Sequence, residues 1–119
     1  MSNKLIPGEV VNAVKLNMDL ELLPPGQVIS GFPSTGFMEL GNIAGTEIGI
    51  WEHSVGVSTD VESDEVFIVI SGEAIIAFLD GDRAEIEVKP GSMVRLAAGM
   101  RTRWSVTDTL RKVYLAPAE

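Results

Sequence analysis

A glutamate at the start of a strongly apolar run is the first candidate for chemistry. Glu65 precedes the stretch 66–70, and along an extended strand it shares one face with Phe67 and Val69. If that face looks into a core, the Glu65 carboxylate is partly desolvated and suited to acid–base catalysis. The alternative is a structural glutamate that faces solvent at a strand end or pairs with a nearby arginine: Arg95, Arg101 or Arg103.

The single histidine of the chain is the second candidate. His53 lies on the same strand face as Trp51 and Val55, and an imidazole titrates near neutral pH, as a general base requires. No motif places a serine or cysteine nucleophile beside it, and the chain contains no cysteine. The sequence therefore favours Glu65 over His53 as the catalytic candidate.

From Gln27 onward, short apolar stretches separated by turn residues are typical of an all-β domain. The predicted strands are 37–43, 46–55, 65–71, 74–79, 83–89, 92–97, 101–106 and 110–115. Asp80-Gly81-Asp82 is a hairpin signal, and no long stretch has the apolar spacing of an amphipathic helix. We predict a barrel or sandwich over residues 27–119, with residues 1–26 as an extended arm packed on it.

Two glycine-containing segments resemble the two motifs of the cupin superfamily. Glu65, six further residues and Gly72 fit the end of the first motif, and Gly91 and Gly99 fit the second, with Ala97 where a proline is usual. The resemblance implies a cupin-type double-stranded β-helix, or jelly-roll, barrel. Residues 45–115 also resemble the small single-domain cupins of unknown function related to ureidoglycine aminohydrolase, on the segments Gly49-Ile50-Trp51-Glu52, Asp64-Glu65, Trp104 and Arg111-Lys112-Val113-Tyr114.

The resemblance also indicates where a metal would bind, and the chain departs from the cupin pattern there. Metal-binding cupins hold the ion with histidines and a glutamate, ligands that suit transition metals. The paired histidine positions fall on Ser58 and Asp60, or on Thr59 and Val61 with a shorter gap, and the last falls on Thr102. Only Glu65 remains as a strong ligand. No cofactor is therefore predicted, and a divalent metal such as Mg²⁺ would be bound only weakly, through oxygen.

The same positions define a predicted ligand site. Thr102, Trp104 and Val106 share one strand face, so that Trp104 points into the cavity that Thr102 lines. We predict that Glu65 and Thr102 become neighbours in this cavity, and that a small-molecule ligand binds there. The ligand-binding candidates are Glu65, Thr102, Trp104, Asp60 and Ser58, and Glu65 is the catalytic candidate. The alternative is that Trp104 fills the barrel as a core residue.

Composition narrows the range of partners. The 119 residues carry a formal net charge of −8, which disfavours nucleic acid and anionic membrane surfaces. Residues 1–23 contain no uncharged apolar run of signal-peptide or membrane-span length, so the expected location is cytoplasmic. Because the stretch 66–70 is apolar on both faces, a homodimer is expected to cover the outer one. The alternative is that the N-terminal arm covers it.

The sequence leaves three functions open. The first is a cupin of unassigned activity that binds a small metabolite in the barrel interior without a full metal-ligand set. The second is a metal-free structural or regulatory dimeric domain whose barrel is filled by side chains. The third is a weakly metal-dependent enzyme that acts on a small nitrogen-containing acid. The residues alone do not decide whether the chain is an enzyme.

Overall fold

The structure, a computed structural model, describes residues 4–118, and over this range the chain is all-β. The strands are β1 (Glu21–Leu22), β2 (Val28–Gly31), β3 (Ser34–Ile43), β4 (Thr46–His53), β5 (Gly56–Val61), β6 (Glu65–Phe78), β7 (Ile86–Val88), β8 (Met93–Leu96) and β9 (Arg101–Pro117). One single-turn 3₁₀ helix spans Pro25–Gln27. Every strand pairing among these residues is antiparallel.

The two longest strands, β6 and β9, run side by side and join the two halves of one curled sheet. In one half, β4 pairs with residues 110–117 of β9, and β8 pairs with the first residues of β6. In the other half, β5 pairs with residues 101–106 of β9, and β7 pairs with residues 74–76 of β6. This arrangement confirms the predicted all-β cupin barrel.

The inward faces of β6 and β9 build the core. Phe67 and Val69 of β6 are at most 1% exposed, and Trp104, Val106 and Leu110 of β9 are at most 3% exposed. Except at Leu110, whose neighbour Arg111 is also buried, these residues alternate with half-exposed or exposed neighbours, as expected for strands with one buried face. Glu65 begins β6 on the same face as Phe67 and Val69, so its side chain looks into the barrel.

A glycine allows β6 to bend between the two halves of the sheet. The register of β6 against β9 shifts three times between Val69 and Ala74. Gly72 lies within this bend at a φ of +85°, and a Cβ placed there would lie 2.0 Å from the carbonyl oxygen of Thr109. Only glycine fits both the left-handed backbone and the close approach of β9. The predicted strands 65–71 and 74–79 are consequently one bent strand.

Other strand boundaries differ from the predicted ones where the residues are polar. The strands β2 and β5 were not among those predicted. In β5, Ser58 and Thr59 interrupt the apolar alternation. The predicted strand 83–89 is reduced to Ile86–Val88, since residues 83–85 are exposed and do not pair with β6.

The described part of the N-terminal arm, residues 4–26, lies against the sheet and is held by both backbone and side-chain hydrogen bonds. Strand β1 pairs with β3, and the amides of Lys4 and Leu5 donate to the carbonyl of Leu40. The buried Arg111 guanidinium donates to a Glu52 carboxylate oxygen at 2.7 Å and to the arm carbonyls of Ala13 and Val14 at 2.9 and 3.2 Å. Over residues 4–118 we find no helix with the length and apolar character needed to cross a membrane.

Candidate functional site

A cavity of about 360 Å³ opens at one end of the barrel, between strands of both halves of the sheet. Trp51 of β4 and the β9 residues Trp104 and Tyr114 supply aromatic walls, and Phe37 of β3 also borders the cavity. The charged residues that line it are Asp60, Glu62, Glu65 and Lys112. An apolar wall with a few charged groups is the usual composition of a small-molecule site.

An ion pair between Glu65 and Lys112 occupies the inner part of this cavity. The Lys112 ammonium donates to Glu65 Oε1 at 2.6 Å, and the two side chains are only 5% and 14% exposed. The ammonium nitrogen also lies 4.5, 4.2 and 4.9 Å from the ring centroids of Trp51, Phe67 and Trp104. Three cation–π contacts and a carboxylate thus hold one buried positive charge.

Strand parity explains why Lys112 points inward. It stands between Leu110 and Tyr114 on β9, and both neighbours two residues away are buried. A lysine that alternates with buried residues is the sequence signal for this ion pair. Lys112 was predicted only to belong to a segment that resembles a cupin branch, with no role in the site.

Glu62 is a second buried carboxylate and was not among the predicted site residues. It follows β5 and is 8% exposed. Its Oε2 accepts hydrogen bonds from Thr102 Oγ1 at 2.6 Å and from Trp104 Nε1 at 3.0 Å. Its backbone is bonded to Met100 and Gly99, which fixes the loop. No motif marks this position, and a glutamate just after a strand is usually solvated. Nothing in the sequence therefore indicated that Glu62 is buried.

His53 has a serine partner that no motif indicated. Its Nε2 lies 2.7 Å from Ser58 Oγ, and its Nδ1 lies 2.6 Å from the carbonyl oxygen of Ser54. A carbonyl only accepts, so Nδ1 carries the proton and Nε2 accepts from the Ser58 hydroxyl. Burial lowers the pKa of His53, so the imidazole is neutral at neutral pH. Both side chains are buried, and neither lines the cavity at the barrel mouth.

The predicted ligand-binding residues divide into two groups. Glu65, Trp104 and Asp60 line the cavity, with Asp60 at its exposed edge. Thr102 is fully buried and does not line the cavity, although its hydroxyl is hydrogen-bonded to Glu62 and Trp104, which do. Ser58 is bonded to His53 instead. Desolvation, and next the charge of Glu62, raise the pKa of Asp60.

The positions at which cupins bind a metal do not form a metal site here. Ser58 and Thr102 are engaged with other side chains, and the Lys112 ammonium lies against Glu65, where it would repel a metal cation. Among residues 4–118, no three histidine, cysteine, aspartate or glutamate side chains are gathered closely enough to hold an ion. The donor set therefore does not fit the metal that the fold family implies.

The strand order, the bend at Gly72 and the cavity at the barrel mouth define a cupin β-barrel. Residues 41–114 match the family profile of the EutQ-like cupin domain, and the chain belongs to this family. No match is found among curated proteins.

Solved structures agree with the fold. A structure assigned to ethanolamine utilization protein Q of Salmonella typhimurium LT2 has a TM-score of 0.61 and 18% identity, covering 72% of both chains. A protein of unknown function from Pseudomonas syringae pv. tomato has a TM-score of 0.69 and 21% identity over 85% of this chain and 44% of its own. For the Clostridium difficile EutQ protein the values are 0.60 and 21%, over 73% and 65%. At these identities the likeness concerns the fold alone.

Proposed function

We propose that this EutQ-like cupin binds a small metabolite at the mouth of its barrel without a metal. The observation that carries the proposal is the buried Glu65–Lys112 ion pair beneath three aromatic rings, at the inner end of an open cavity. A charged, preorganised group in a cavity of metabolite size is an arrangement that can orient a ligand. Within this proposal, Glu65, Trp104 and Asp60 contact the ligand, while Thr102 positions Glu62.

Lys112 can supply the positive charge beside Glu65 that a metal ion would otherwise provide. In a metal-binding cupin the ion would neutralise the buried motif glutamate. Here the ammonium of Lys112 supplies a positive charge at hydrogen-bonding distance from Glu65. We also propose that the site works without a metal and that Glu65 can take part in acid–base chemistry. A relation to ureidoglycine aminohydrolase, and with it a nitrogen-containing acid as ligand, is likewise a proposal.

A second candidate is a structural or regulatory domain with a filled barrel. It is supported by the complete burial of Phe67 and Ile76 and the near-complete burial of Trp104, which pack the core with side chains. Its dimer would cover the half-exposed outer residues of β6, such as Val66 and Ile68. A cytoplasmic location fits both candidates.

Thermal melting separates these candidates. The chain, purified without chelator, is assayed for bound metal and then melted with divalent ions and with small neutral, acidic and basic metabolites. A ligand at ten times its Kd stabilises the folded state by about 1.4 kcal/mol, enough to raise the Tm by several degrees.

We expect organic compounds, and not divalent ions, to raise the Tm, and Glu65→Gln to reduce the effect. Asp80→Asn, which removes an exposed carboxylate outside the cavity, is the matched control. A panel in which no compound of any charge raises the Tm would leave the filled-barrel domain as the better interpretation. Tight co-purifying metal would contradict metal independence.

A further inference from the structure

We infer that the ligand of this pocket is an organic cation, such as a primary ammonium compound, and this inference rests on the proposed small-molecule function. The cavity is lined by three carboxylates, those of Asp60, Glu62 and Glu65, against one ammonium, that of Lys112. When all are ionised, the wall carries an excess of two negative charges. A cation entering the cavity relieves this excess, and an anion increases it.

Glu62 is the carboxylate with unused capacity inside the pocket. It is 8% exposed, yet both of its side-chain hydrogen bonds end on Oε2. Within residues 4–118, Oε1 accepts no hydrogen bond and Glu62 forms no ion pair, and no buried side-chain oxygen is left both enclosed and unpaired. Oε1 is therefore accessible to solvent, and Glu62 lines the cavity. A buried carboxylate with neutral donors on one oxygen gains most from a cation on the other.

The pocket already binds one ammonium group, that of Lys112, through a carboxylate and aromatic rings. This ammonium is bound by one carboxylate and by the faces of Trp51, Phe67 and Trp104. Because Glu65 lies 2.6 Å from it, Lys112 is neutralised locally and opposes a second cation only weakly. The ligand would use Glu62 and Asp60 in the same manner.

Aromatic surface is also available for the apolar part of such a ligand. Phe37 pairs with Trp51 across β3 and β4, and its ring is largely exposed at the edge of the cavity. A neighbouring cavity that shares Phe37 and Trp51 is lined by Asp19 and Glu21 and by no basic residue. The approach to the site is thus aromatic and acidic as well. Because the carboxylates are not gathered into a metal-binding group, an organic cation fits better than a divalent ion.

Three probes of similar size and different charge test the inference: n-butylammonium chloride, 1-butanol and sodium butyrate, at matched ionic strength. The two tryptophan indole N–H signals in ¹⁵N NMR report on the site, because Trp104 Nε1 donates to Glu62 and Trp51 lines the cavity. We expect saturable shifts with n-butylammonium at a Kd about tenfold below those of the other two probes. Glu62→Gln, which keeps an acceptor oxygen for Thr102 and Trp104, should raise that Kd about tenfold. Glu85→Gln removes an exposed carboxylate elsewhere and should leave it unchanged.

The failing outcomes are distinct. Binding of butyrate or butanol as tight as that of the cation overturns the inference and leaves the small-molecule proposal standing. Magnesium chloride shifting the same signals at lower concentration also overturns it, in favour of a metal. An equal Kd in folded Glu62→Gln places the cation elsewhere and contradicts the site. If no probe shifts either indole signal, the inference fails, and the thermal panel then decides the proposed function. Should Glu62→Gln not fold, the comparison of the three charges on the unaltered chain still decides.

Discussion

Replacing Lys112 by methionine tests the central ion pair most directly. Methionine keeps the unbranched apolar stem against Trp51, Phe67 and Trp104 but removes the ammonium. The Glu65 carboxylate, only 14% exposed, then loses its partner. We expect a large loss of stability, because the cost comes chiefly from the unmatched buried charge and not from lost packing.

The magnitude follows from the surroundings of the pair. Removing one partner of a buried ion pair costs about 3–5 kcal/mol. Glu65 retains some contact with water through the cavity, so we expect about 3 kcal/mol for Lys112→Met. Glu65→Gln should cost less, about 1–2 kcal/mol, because Lys112 keeps an amide oxygen and three aromatic faces. The double variant removes both charges and should be more stable than Lys112→Met alone.

Urea unfolding followed by far-UV circular dichroism measures these free energies, with the slope m checked for two-state behaviour. The four chains form a double-mutant cycle, for which we expect a coupling energy of at least about 1.5 kcal/mol. Asp80→Asn, which breaks the exposed Arg101–Asp80 pair, is the control and should destabilise far less.

Two results would refute the reasoning. One is a Lys112→Met variant as stable as the unaltered chain, which would mean that Glu65 needs no cation. The other is additivity within error across the cycle, which would mean that the two side chains do not sense each other. A loss in Lys112→Met together with recovery in the double variant separates charge matching from packing, since both chains have the same methionine.

Three further predictions concern the rest of the fold. Burial lowers the pKa of His53 from its ordinary 6.5, so the unfolded chain binds more protons than the folded one near that pH. The free energy of unfolding should level off well above pH 6.5 and fall as the pH drops through 6.5, by at most about 1.4 kcal/mol per unit. His53→Gln should flatten this slope in urea melts. Gly72→Ala should cost at least about 2 kcal/mol, because the residue has positive φ and its Cβ would strike Thr109, whereas Gly81→Ala, in an open turn with positive φ, should cost less. Arg111→Met should release the arm, seen as faster proteolysis within residues 1–26 at unchanged β-sheet content.

The sequence predicted the fold because its signals are local and repeated. Apolar alternation, hairpin turns and the spacing from Glu65 to Gly72 each specify short-range geometry, and together they lead to a barrel. The prediction was weakest for β5 and for the bend in β6, which both pair with the long strand β9. The bend at Gly72 and the polar strand β5 depend on hydrogen bonds to β9, which lies more than thirty residues further along the chain.

The candidate site was only partly predictable for the same reason. Strand parity made an inward orientation of Glu65 and Trp104 one of two alternatives, since each shares a face with apolar residues, and in the structure both line the cavity. It could not show that Thr102 is covered by Glu62, because Glu62 lies outside the strands and its position depends on the loop bonds to Met100 and Gly99. The partnership of His53 with Ser58 likewise arises from the turn between β4 and β5, which no periodicity describes.

The lack of metal ligands and the inward orientation of Lys112 have one explanation, which is that Glu65 needs a positive charge beside it. A glutamate at the mouth of a barrel, largely desolvated, is costly unless a positive charge lies beside it. Neutral serine and threonine at the ligand positions supply none, so the charge must come from another strand, and Lys112 of β9 supplies it. The same reasoning leaves Glu62 unmatched, because its two partners are neutral donors. If the pocket binds a small molecule as proposed, one carboxylate matched internally and a second without a cationic partner let it select that molecule by charge, and the ligand should be positive.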